Sequence, residues 1–108
     1  MSRSTYTVQY SKPFPQTERI VNEILQHNGY SEFSLRGESV WKKGTGILTA
    51  MHYIKIEYSE RDITISGWIQ PGMGSLEMAG ESDLSGFYGC IPKGTVKKVI
   101  NHIMDSVR

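Results

Sequence analysis

A single cysteine in 108 residues excludes an internal disulfide, and a reducing compartment is the natural setting for such a chain. Charge of one sign is also missing. Twelve Lys and Arg face eleven Asp and Glu, a net charge of +1, so the electrostatic footprint of a nucleic-acid or anionic-membrane binder is absent. No apolar run approaches the roughly 20 residues a membrane helix needs. Residues 1–10 hold no apolar core of signal-peptide length. These absences point to a cytoplasmic protein, or to a domain of a longer chain. Internal repeats and low-complexity tracts are missing too.

What remains is an ordinary globular composition, 38% hydrophobic and 21% charged. A chain of this length forms one domain, residues 1–108, and buries about two-thirds of its unfolded surface without metals or bridges. The most informative stretch is a hairpin from His52 to Gln70, folded about the turn Ser59-Glu60-Arg61-Asp62. An antiparallel register about that turn sets Tyr58 opposite Ile63, Ile56 opposite Ile65, Ile54 opposite Gly67 and His52 opposite Ile69. Alternation puts that set on one face. The other face receives Glu57 with Thr64, Lys55 with Ser66, and Tyr53 with Trp68.

The rest of the chain supplies partners for the isoleucine face. Residues 5–10 alternate Tyr6, Val8 and Tyr10 with polar residues, a strand pattern. Pro15 suits the first turn of a helix. Ile20, Val21, Ile24 and Leu25 then form an apolar stripe that Asn28-Gly29 stops, giving a helix over about residues 16–27. Short strands follow over residues 32–36 and 38–43, the second carrying Val40 and Trp41 on opposite sides. Gly44-Thr45-Gly46 turns the chain, and Ile47 to Thr49 lead into the hairpin. Residues 71–89 lack a clear period but carry Met73, Leu76, Met78, Leu84 and Phe87, which predicts an irregular edge strand within them. A final helix places Val96, Val99, Ile100, Ile103, Met104 and Val107 on one side, with Thr95 as its N-cap.

The fold class is therefore α+β: two layers, an antiparallel sheet of five to six strands, and two helices on one face, in the order β-α-β4/5-α. That order resembles the TATA-binding-protein-like and helix-grip folds. The segments Trp41 to Gly44, Ile54 to Tyr58, Ile63 to Trp68, Gly86 to Gly89 and Ile91 to Lys93 also look like those of small uncharacterised bacterial domains. These motifs are structural. The resemblance implies a fold and carries no activity, cofactor or site.

Chemistry-bearing residues are few. Cys90 has no histidine at local spacing, since His27 ends a helix, His52 lies on an inner strand face and His102 on a helix's polar side. A structural cysteine is the better reading. Glu77, Glu81 and Asp83 share a loop without the positions of a calcium loop, and the scattered histidines do not make a metal site. Residues 89–95 approach a phosphate-binding loop, but Lys93 precedes Gly94 where a lysine should follow it. Gly94 and Thr95 remain a weak anion site at a helix start. Lys42-Lys43 and Lys97-Lys98 suggest a basic patch, with Trp41 beside it for stacking, yet the charge balance argues against nucleic acid.

The outer-face aromatics stand out most. Tyr53 pairs with Trp68, Trp41 is a possible third member, and Met73 to Met78 could lid them, either as an adaptable interaction surface or as intramolecular cover. The expected function is a non-enzymatic binding or protein-interaction module using the open sheet face, with Trp41, Tyr53, Trp68, Met73 and Met78 as the surface. Its expected partner is a protein, a small apolar ligand or a second copy, and no cofactor, metal or membrane is implied. The alternative is a small ligand carrier or enzyme with a cavity between the sheet and the C-terminal helix.

Overall fold

A computed structural model describes residues 3–44, 51–70 and 90–108, without the side chains of residues 90–93. The elements are β1 (Ser4–Gln9), α1 (Phe14–His27), β2 (Ser31–Leu35), β3 (Glu38–Lys43), β4 (Met51–Tyr58), β5 (Asp62–Gln70) and α2 (Cys90–Val107). The order is β-α-β4-α, and the five strands form one antiparallel sheet arranged β1-β5-β4-β3-β2. Helix α1 carries the chain from one sheet edge to the other. The strand expected within residues 71–89, and Ile47 to Thr49, lie outside the described residues.

Local chemistry explains each boundary. Pro15 sits in the first turn of α1, and Thr17 donates its hydroxyl to the Lys12 carbonyl at 3.1 Å. At the other end Asn28 donates Nδ2 to the Ile24 carbonyl at 2.7 Å, and Gly29 takes φ +89° to leave the helix. Arg36 and Gly37 both have positive φ, 49° and 87°, the signature of the two-residue turn that matches strand twist. The β4–β5 turn is fastened by Ser59: its N–H reaches the Asp62 carbonyl at 2.8 Å, and its Oγ accepts from the Asp62 N–H at 3.2 Å. The resulting register pairs Tyr58 with Ile63, Ile56 with Ile65, Ile54 with Gly67 and Tyr53 with Trp68, as alternation about that turn requires.

Both helices cover one face. Val21 and Leu25 of α1 join Val96, Val99, Ile100, Ile103 and Val107 of α2 over Ile54, Ile63, Ile65 and Ile69. Tyr6 and Val8 of β1 pair with Ile65 and Ile63 and pack against this core. Two positions differ from the sequence reading. Helix α2 begins at Cys90, so Thr95 lies inside it and cannot be its N-cap. Trp41 pairs with Ile54 and belongs to the helix-side core, so it does not join Tyr53 and Trp68. Its neighbour Val40 does.

Candidate functional site

Alternation sends Arg3, Lys42, Tyr53 and Trp68 to the face away from the helices. Tyr53 stacks on Trp68 with ring centroids 5.4 Å apart and an 18° tilt. Both are buried, Trp68 completely, and Val40, Leu35 and Met51 pack with them. The pair, for which the sequence left an interaction surface and intramolecular cover open, is buried in a second small cluster. The Arg3 guanidinium lies 3.7 Å from the Trp68 ring centroid, and it grips Glu38 through two bonds of 2.9 Å. Lys55 adds a third bond to Glu38 at 3.0 Å. These donors, Arg3 first, pull the Glu38 carboxyl from the ordinary 4.5 to about 2. Arg3 therefore joins β1 to β3 across the sheet and shields Trp68 in doing so.

Away from this clasp the described outer face is polar, with Ser66 buried and Thr5, Thr7 and Glu57 exposed. Thr7 and Thr64 share a hydroxyl bond of 3.2 Å, and Thr5 and Ser66 one of 3.3 Å. Its apolar feature is Phe33 on β2, 39% exposed. The Lys42 ammonium rests 4.4 Å from the Phe33 ring centroid. Strand β2 is an edge of the sheet, and residues 31–34 are all exposed. The two-residue turn makes Leu35 and Glu38 a hydrogen-bonded pair, so Phe33 and Ser31 also bond inward to β3. Glu32 and Ser34 then direct their backbone N–H and C=O groups out of the sheet. Sequence reasoning passed over Phe33. The signal for it was the short polar strand around one aromatic residue.

The other predicted site residues disperse. Gly94 and Thr95 lie within α2, where backbone donors are used by the helix, so the anion reading loses its basis there. Lys42 and Lys43 alternate across the sheet. Lys42 covers Phe33, and Lys43 lies 5.8 Å from the Tyr30 ring on the helix side. With Trp41 buried, they form no stacking patch with it. His27 and His102 are exposed on separate helices and meet as lining of one groove between α1 and α2, with Ile20, Ile24 and Ser106. His52 lies beside Tyr30, ring centroids 6.5 Å apart. Burial first, then Lys43, lowers its pKa and keeps it neutral. Met73, Met78, Glu77, Glu81, Asp83 and the Cys90 side chain lie outside the described residues. Among the described residues no group of three His, Cys, Asp or Glu could hold a metal, and no helix is long and apolar enough to cross a membrane.

Comparison with family models, curated proteins and solved structures gives no match for this chain. What the structure shows is the architecture alone: a five-stranded antiparallel sheet and two helices in the order β-α-β4-α.

Proposed function

We propose that this protein is a non-enzymatic interaction module that works through the outer sheet face and its β2 edge. Kinship with the helix-grip group and a cytoplasmic setting belong to the same reading. The observation that carries it is the exposed edge strand with Phe33 at its centre. An edge of unpaired N–H and C=O groups is a template for another strand. Strand β2 carries no proline or lysine to blunt that edge.

The partner we favour is the same strand of a second copy. Antiparallel pairing about Phe33 sets Glu32 opposite Ser34 of the second copy, and the outward backbone groups of those residues meet. Phe33 then faces its own equivalent at a non-hydrogen-bonded position, where side chains approach most closely. Like charges are kept apart, because each Glu32 opposes a serine. The interface is two-fold and self-complementary, as a closed dimer requires. Sedimentation velocity over a concentration series tests this. Wild type should show a reversible monomer–dimer equilibrium, which Ser34→Pro removes by deleting an outward donor. A wild type that stays monomeric at every concentration would sink the dimer.

A further inference from the structure

A groove of about 280 Å³ opens on the helix side, between α1 and the β2–β3–β4 end of the sheet. Its floor is Trp41, Ile56 and Tyr58. Glu18 and Asn22, one helical turn apart, line it from α1, and Glu32 lines it from β2. Both glutamates are exposed, and neither carboxylate has a lysine or arginine partner among the described residues. The nearby lysine Lys55 is spent on Glu38 and Glu57, on the opposite face of the sheet. The Tyr58 hydroxyl is shielded from solvent and has no hydrogen-bond partner among the described residues. Burial, then Glu18, pushes its pKa up to about 12, so it stays neutral and able to bond.

We infer that this groove is a binding site for a small organic ammonium ion. Two anionic walls over an aromatic floor are complementary to a cation with an alkyl tail. The carboxylates attract the head, and the tail covers the apolar atoms of Ile56 and the aromatic residues beside it. A free anion would meet two glutamates and no described cation. A neutral apolar ligand would leave both carboxylates unused. Glu32 borders both the groove and the β2 edge, whereas Glu18 lies on α1 away from that edge, so Glu18→Gln tests the groove without touching the strand-pairing surface.

Two sources present the same head group, a free alkylamine and a lysine side chain on another chain. The test is NMR titration of the intact protein, following the Trp41 indole N–H and the Ile56 methyls. The probes are n-pentylammonium, N-acetyl-lysine-amide and the uncharged n-pentanol. Saturable shifts are expected with one or both ammonium probes. Tighter binding of the free amine assigns a small metabolite, and tighter binding of the blocked lysine assigns a peptide side chain. Glu18→Gln and Glu32→Gln should each weaken binding roughly fivefold, and together more, because one carboxylate of a part-exposed site is worth that order. Both are surface substitutions, and unchanged spectra away from the groove verify the fold. Equal shifts with n-pentanol, no saturable shift with either ammonium, or full affinity in the double variant overturns the assignment.

Discussion

The two faces of the sheet are closed by different physics. On the helix side, α1 and α2 bring Val21, Leu25, Val99, Ile100 and Ile103 onto a wall of isoleucines. That closure is apolar and extensive, and no ion pair holds it together among its described core residues. On the outer side the described buried cluster is Val40, Tyr53 and Trp68. Its described clasp is a charged strap, Arg3 to Glu38 to Lys55, with the guanidinium lying on the tryptophan. The Trp68 indole N–H is shielded from solvent and has no acceptor among the described residues. One arginine here supplies both a cation over the ring and an ion pair across the sheet. The strap lies on the outer face, and residues 31–34 of the β2 edge stay exposed beyond it.

The comparison can be broken most forcefully from inside either cluster. Trp68→Ala should destabilise by about 3–5 kcal/mol, and Ile100→Ala by about 2–5 kcal/mol, the range for large buried side chains cut to alanine. Urea midpoints measure both. An exposed-surface response to Trp68→Ala, within about 0.5 kcal/mol of wild type, would return that tryptophan to the surface. Next comes the strap. Arg3→Ala should cost about 1–2 kcal/mol, combining the lost cation–π contact with the lost cover over Trp68. It should also raise Trp68 fluorescence quenching by acrylamide, whereas Ile100→Ala at the same denaturant distance from unfolding should not.

The two faces should also separate by pH. The Glu38 carboxyl titrates near 2 in the folded chain against the ordinary 4.5. A depressed carboxyl pKa stabilises the fold fully above the unfolded value, and that stability is lost as pH falls toward the folded one. The stability gap between wild type and Glu38→Gln should therefore be constant above about pH 5.5 and should close between 4.5 and 2. A gap that does not change with pH would mean that the carboxylate charge is not what holds the strap. The Ile100→Ala gap should show no such window.

Much of this was legible in the sequence, and the failures are instructive. The hairpin register followed from one fastened turn and a period of two, so Tyr53 and Trp68 were paired correctly. Both helices followed from apolar stripes, and Asn28-Gly29 marked a true stop. What local pattern could not supply was the placement of β1 beside β5, or of Arg3 beside Glu38, 35 residues away. Arg3 over Trp68 is such a long-range contact, so the sequence left open whether the aromatic pair is a surface or is covered. Trp41 was put with the wrong cluster because its face depends on the β3–β4 register. That register runs through residues 45–50, which carry no periodic signal. Phe33 went unremarked because a single aromatic residue in a short polar strand looks the same whether the strand lies at an edge or inside.

The smallest expected effect on stability belongs to the residue most exposed to partners. Phe33→Lys should change folding stability by no more than about 0.5 kcal/mol, as surface substitutions do. Its effect on association should be complete, because two lysines would face each other at the closest position of the paired strands. Sedimentation velocity of wild type and Phe33→Lys, at matched concentrations and with matched urea midpoints, tests most directly that β2 is the interaction edge. The expected result is a concentration-dependent dimer for wild type and a monomer for the variant. A variant that dimerises as wild type does, or a wild type that never dimerises, would contradict it.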